Sequence, residues 1–162
     1  MAIVGKIISG GQTGADQGAL KAARRMGLRT GGAAPKGYLT ELGPRPDLLK
    51  GFGLVEHESA TYSLRTAANV FDADATLILG TELDRGSTLT ANLCRKYGRP
   101  FRVVTDASPA AAEAVASWLC AEHERRGRPL TLDVAGNRES HEPGLEARAE
   151  DFLVRVLALL AG

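Results

Sequence analysis

The sequence predicts an α/β domain on a doubly wound, mostly parallel sheet, with helices on both faces, and three observations carry that reading. Short β-branched or apolar runs alternate with longer helical patterns along the whole chain. Ala75-Thr76-Leu77-Ile78-Leu79-Gly80 is almost continuously apolar, as expected of a strand covered on both faces. Two strands, this one and Ile3–Ile8, empty into turns rich in glycine and hydroxyl groups where a helix begins.

Element by element, Ile3-Val4-Gly5-Lys6-Ile7-Ile8 opens the sheet, and Ala15, Ala19, Ala22, Ala23 and Met26 form one helical stripe behind it. Gly27 ends that helix, and Arg29–Ala34 is a second strand running into Pro35-Lys36-Gly37. Residues 37–53 have no clean period and carry much glycine and proline, so they read as a long functional or mobile loop. Leu54–Glu58 makes a short edge strand. Ser59 or Thr61 caps the next helix, with Leu64, Ala67, Ala68 and Phe71 facing a core and Arg65, Thr66 and Asn69 on another face.

The strand Ala75–Gly80 feeds Thr81-Glu82-Leu83-Asp84-Arg85-Gly86-Ser87-Thr88 and a helix to Tyr97. Pro100–Thr105 is the fifth strand. Ser108-Pro109 starts a helix that buries Ala112, Val115, Ala116, Leu119 and Cys120. Leu130–Ala135 is the sixth strand and ends in Gly136-Asn137-Arg138-Glu139-Ser140; a last helix runs from about Pro143 to Leu160. Right-handed crossovers gather all the strand-to-helix turns at one edge. The expected strand order is 3-2-1-4-5-6, with the first and fourth strands flanking the ligand crevice.

The chemistry centres on Ser9-Gly10-Gly11-Gln12-Thr13-Gly14-Ala15-Asp16. A helix start offers N–H groups without intrahelical partners and the positive end of a dipole, and glycines let a ligand come close. The turn therefore reads as a phosphate site, with Ser9, Gln12 and Thr13 adding side-chain donors. It lacks the Gly-Lys-Ser/Thr ending of a P-loop and the spacing of the dinucleotide fingerprint. Asp16 would repel a phosphate, so against a ligand it would accept bonds from an amine or hydroxyl. A valine at Gly11 is expected to enter the ligand space and spare the fold.

The 162 residues fit a single domain, 1–162, and their 44% hydrophobic and 24% charged content is that of a globular protein. A net charge of +1 gives no field that favours nucleic acid or an anionic membrane. Cys94 and Cys120 read as small core residues of a cytoplasmic protein. His57, His123 and His141 are scattered without ligand spacing, so no protein-ligated metal is expected.

In combination, Ile8–Asp16, Pro35-Lys36-Gly37, Arg65-Thr66 with Asn69, Asp74–Ile78 and Val134–Ser140 resemble the molybdenum cofactor carrier family over essentially the whole chain. That family lies in a Rossmann-like superfamily that includes the lysine-decarboxylase-like phosphoribohydrolases. The resemblance implies molybdenum cofactor, a phosphate-bearing molybdopterin, as bound cargo that is protected and handed on without catalysis. It also implies a homo-oligomer, and molybdoenzymes or cofactor-synthesis proteins as partners. Carried onto this sequence, Gly10, Gly11, Gln12, Thr13 and Gly14 would form one oxyanion turn. Gly86, Ser87 and Thr88 would form a second, with Lys36, Arg65 and Arg138 as charge partners. Ser9, Asp16, Thr66, Asn69, Gly80, Thr81 and Asn137 complete the implied cofactor-binding set.

Relatives often carry Gly-Gly-Thr where this chain has Gly86-Ser87-Thr88. The phosphoribohydrolases place a glutamate after that turn, where this chain has Leu89-Thr90-Ala91-Asn92. The alternative function is a nucleotide sensor, or an enzyme that cleaves a nucleoside monophosphate with Asp16, Asp84 or Glu139 as its acid.

Overall fold

β1 (Val4–Ile8) leads into α1 (Ala15–Arg25) and β2 (Arg29–Ala34). A 3-10 turn (Lys36–Tyr38), the two-residue strands β3 (Leu39–Thr40) and β4 (Gly43–Pro44), and α2 (Pro46–Gly51) then precede β5 (Leu54–Glu56). α3 (Tyr62–Asp72), β6 (Ala75–Leu79), α4 (Arg85–Lys96), β7 (Phe101–Val104), α5 (Pro109–Arg126), β8 (Leu130–Gly136) and α6 (Leu145–Ala161) complete the chain. This computed structural model describes residues 1–59 and 62–162, with nothing said of the Tyr62 side chain; the expected cap at Thr61 lies outside the described residues.

The α/β class holds, and the six main strands form one parallel sheet. Its order, β5-β2-β1-β8-β6-β7, corrects the expected one. The last strand enters between β1 and β6, so the first and fourth predicted strands are not neighbours. Alternation and helix length do not reveal how many strands a crossover passes. The connection through α5 passes back over β6. Handedness then assigns the layers: steps toward β5 place α1 and α5 on one face, and steps toward β7 place α3 and α4 on the other. α6 packs on α1 and α5, and α3 packs on α4.

The main core lies on the first of these faces. Ile7, Leu77, Leu79, Leu130, Leu132 and Val134 meet Ala19, Ala22, Val115, Leu119, Phe152 and Val156 there. Strand alternation sends Asp133 and Ala135 to the opposite face, beneath α3 and α4. In register, Asp133 sits between Ile8 of β1 and Thr76 of β6. Cys94 is fully buried, whereas Cys120 is only half-buried, short of the core position expected for it.

Two more expectations change. The 37–53 segment is an ordered hairpin and short helix, not an open loop. Leu20, Leu49, Phe52 and Leu54 give it a small core of its own. α3 is turned over: Leu64 and Phe71 are 55% and 43% exposed, while Arg65, Thr66, Asn69 and Val70 are buried. Its polar stripe faces the sheet because the sheet beneath it is itself polar at Thr76 and Asp133, and because Asn69 clamps β2. The Asn69 Oδ1 accepts from the Ala33 N–H at 2.8 Å, and its Nδ2 donates to the Ala33 carbonyl at 3.0 Å.

Candidate functional site

A cleft of about 500 Å³ opens at the C-terminal ends of β1, β8 and β6, between α3 and α4. Of the residues named from sequence, Gly10, Gln12, Asp16, Arg65, Thr66, Asn69, Gly86, Ser87 and Arg138 line it. Ser9, Gly11, Thr13, Gly14, Lys36, Gly80, Thr81, Thr88 and Asn137 do not. Arg85 and Asp133 are charged lining residues outside the implied cofactor-binding set, as is Asp84, which the sequence offered only as an acid for the alternative enzyme.

The glycine turn before α1 is folded onto its own side chains. The Gln12 N–H donates to Asp16 Oδ2 at 3.1 Å, and the Thr13 N–H to the Gln12 Oε1 at 3.0 Å. The Gly11 N–H donates to the Ser9 hydroxyl at 3.3 Å, and the Ala15 N–H to the Asn137 carbonyl at 3.1 Å. The Asp16 carboxylate thus engages one of the N–H donors of this turn.

Gly11 turns toward Leu49 and Leu54, so a valine there would strike the small core, contrary to the expectation that the fold is spared. Gly14, at φ +81°, is needed for close approach, since a Cβ would collide with the Asn137 carbonyl. Gly10 leaves room for the Arg65 guanidinium, which a Cβ at that position would strike.

Glu41, from the hairpin, latches this turn from outside by accepting hydrogen bonds from Thr13 Oγ1 and from the Ser140 N–H and hydroxyl. Burial opposes ionisation of that carboxyl, but the bonds from Ser140 and Thr13 prevail and hold its pKa below the ordinary value. No residue of 37–53 lines the cleft.

The second turn is the more open one. Asp84 caps α4: its Oδ1 accepts from the Ser87 N–H at 2.8 Å and its Oδ2 from the Arg138 N–H at 3.0 Å. The N–H groups of Arg85 and Gly86 have no partner within the helix. The Ser87 hydroxyl is buried in a residue only 2% exposed and has no hydrogen-bond partner among the described residues. Arg65 is buried beside the cleft, Arg138 is half-buried and Arg85 exposed.

Asn137 holds this arrangement from behind. Its Oδ1 accepts from the Asp84 N–H at 2.8 Å, and its Nδ2 donates to the Glu82 carbonyl at 2.8 Å and to Glu142 at 2.9 Å. Its amide is fully engaged, so it positions the turn and has no group left for a ligand. Thr81 likewise bonds Glu142 through its N–H and hydroxyl, and Lys36 is exposed in the 3-10 turn.

The floor of the cleft is acidic. Burial pushes the Asp16 carboxyl up to about 6, against the opposing pull of Arg65. Burial, reinforced by the neighbouring Asp16 charge, pushes Asp133 up to about 8. Among the described residues Asp133 accepts one long bond, from the Thr76 hydroxyl at 3.4 Å. The sequence signal for it was a lone charge inside the apolar strand Leu130–Ala135. Among the described residues no cluster of three or more His, Cys, Asp or Glu side chains is placed to hold a metal ion, and no helix is long and apolar enough to cross a membrane.

The model of the Circularly permutated YpsA SLOG family matches residues 7–157, and the chain belongs to that family. The permutation accords with the sheet: counted from β8, the order becomes 4-3-2-1-5-6, a doubly wound arrangement whose switch point lies between β8 and β6. The chain is also similar to a protein from Syntrophus aciditrophicus SB named "Putative molybdenum carrier protein", whose crystal structure extends to 1.45 Å. The two share 35% identity over 96% of each chain, with a TM-score of 0.86. Among curated proteins none matches it.

Proposed function

We propose that this member of the permuted family binds, protects and hands on molybdenum cofactor, gripping the terminal phosphate of molybdopterin at the start of α4. One observation carries the reading. The cleft closes on a helix N-terminus whose Ser87 hydroxyl is buried with no partner among the described residues, and Arg65, Arg85 and Arg138 lie around it. A phosphate supplies acceptors for Ser87 and for the Arg85 and Gly86 N–H groups, together with charge for the guanidiniums. The likeness to the Syntrophus protein supports a molybdenum-related cargo. The metal stays with its dithiolene, and the protein works through hydrogen bonds. Assembly into a homo-oligomer and transfer to molybdoenzymes or cofactor-synthesis proteins in the cytoplasm belong to the same reading.

The phosphate grip is thus assigned to Gly86 and Ser87. Gly10 and Gln12 form a wall of the cleft, and Ser9, Gly11, Thr13, Gly14 and Asn137 hold it in shape. A second reading, cleavage of the N-glycosidic bond of a nucleoside monophosphate, draws on Asp16 and Asp133, whose protons are held near neutrality within the cleft.

An anaerobic thermal-shift comparison separates the two. A ligand at about 100 times its dissociation constant adds ~2.7 kcal/mol, which raises the melting point by roughly 5–10 °C in a domain of this size. Molybdenum cofactor is expected to produce that shift. A shift with AMP alone, or release of ribose 5-phosphate from AMP at turnover rates, would replace the carrier reading with the nucleotide one.

A further inference from the structure

The cleft has two chemically different ends. At the sheet edge are the start of α4 and its arginines. Deeper, on the β8 strand, Asp133 lies three residues before Gly136, about 10 Å along the strand at ~3.3 Å per residue. Asp133 is 2% exposed, and among the described residues Thr76 gives it a single long bond at 3.4 Å, which leaves it acceptor capacity for a ligand. Asp16 stands beside it on the α1 side, with Arg65 between the acidic floor and α3. A buried carboxyl with spare acceptors calls for donors. Both ends line the same cleft, as a ring joined through a linker to a phosphate requires.

We propose that Asp133 reads the ring of the ligand, its two oxygens receiving the paired N–H donors of a 2-amino-4-oxo heterocycle, the edge common to pterins and guanine, while the phosphate rests at the start of α4. The assignment rests on the carrier reading for its phosphate end. The paired edge offers a ring N–H and an amino N–H side by side, which matches the ionised carboxylate in bidentate fashion, so the proton that burial holds on Asp133 in the ligand-free protein leaves to solvent as the ring docks. A hypoxanthine ring offers one of the two donors. An adenine ring sets an acceptor beside its amino group, where it faces a carboxylate oxygen. Asp133 is therefore a specificity-determining residue, and the cleft discriminates by hydrogen-bond pattern at one end and by charge at the other.

The test is calorimetric titration of the full chain at pH 8.5, where Asp133 is ionised, with GMP, IMP and AMP, repeated with Asp133→Asn. Wild-type protein is expected to bind GMP at least tenfold more tightly than IMP or AMP. Asp133→Asn is expected to bring GMP to the level of IMP. Equal binding of GMP and IMP by the wild type overturns the assignment without recourse to any variant. So does a GMP preference that survives in Asp133→Asn, or the absence of binding by all three nucleotides. The cofactor is judged separately, by its thermal shift. A GMP-selective chain that ignores molybdenum cofactor would refute the carrier reading and leave Asp133 standing. A cofactor shift of equal size in wild type and Asp133→Asn would do the reverse.

Discussion

Asp133→Asn also tests the electrostatics of the cleft without any ligand. The Asp133 carboxyl titrates near 3.8 in the unfolded chain and near 8 in the folded protein, chiefly because it is buried and secondarily because Asp16 is ionised beside it. Between those values the folded protein keeps a proton that the unfolded chain has released. Stability is therefore highest below pH 3.8 and falls as pH rises toward 8. From pH 5 to pH 9 about three pH units of that window are crossed, and at 1.36 kcal/mol per unit the loss is about 4 kcal/mol. Relaxation of the protein around the buried carboxylate offsets part of it, leaving about 2 kcal/mol. Asparagine has the same shape and no proton to lose. Melting curves of both proteins at pH 5 and pH 9 should therefore show a gap in favour of Asp133→Asn that widens by roughly 4–8 °C on going to the higher pH. Asp16 titrates in both proteins and does not create the gap. A gap that is independent of pH, or a wild type that gains on the variant at pH 9, would refute a buried, protonated Asp133.

Arg65→Ala should weaken phosphate-ligand binding at least tenfold and flatten its salt dependence; unchanged affinity at both 50 and 500 mM salt would take Arg65 out of the site. Gly10→Ala places a methyl group where the Arg65 guanidinium lies, so ligand affinity should fall as in Arg65→Ala while circular dichroism stays native, and full retention of affinity would show that the guanidinium is held elsewhere. Asn137→Ala removes three hydrogen bonds behind the α4 cap and should cost about 2–4 kcal/mol in denaturant unfolding; a loss under 0.5 kcal/mol would deny its positioning role.

Local pattern and long-range arrangement were legible in the sequence to different degrees. The β-branched runs at Val4–Ile8 and Ala75–Leu79 and the alanine stripe of α1 declare themselves, because burial on both sides of a sheet demands apolar residues at fixed periods. The place of β8 does not, since an 18-residue helix such as α5 can cross one strand or two. The stripe of α3 misled for a related reason. Leu64 and Phe71 have helical spacing, but the surface under α3 is a polar cleft, and the helix turns Arg65, Thr66 and Asn69 toward it.

At the site, glycine content marked both turns but could not tell which of their N–H donors the chain's own side chains engage. That depended on Asp16 folding back onto the Gln12 N–H, a contact four residues away in sequence and set by geometry alone. Asp133 was legible only as a charge out of place in a strand. Its partner Thr76 lies on a neighbouring strand that the expected order did not put beside it.

The position of β8 also governs how the molecule can come into being. β1, β2 and β5 make one half-sheet and β6 with β7 another, and no strand of the first pairs with any strand of the second except through β8. During synthesis, which proceeds from the N-terminus, the two halves emerge without the piece that joins them. Closing the sheet waits on residues 130–136 and joins segments far apart in sequence, a slow kind of contact to form. The cleft takes its floor from that same strand, so a chain without it has no such pocket. The cleft arrives with residues 130–136, in a single step with the closing of the sheet.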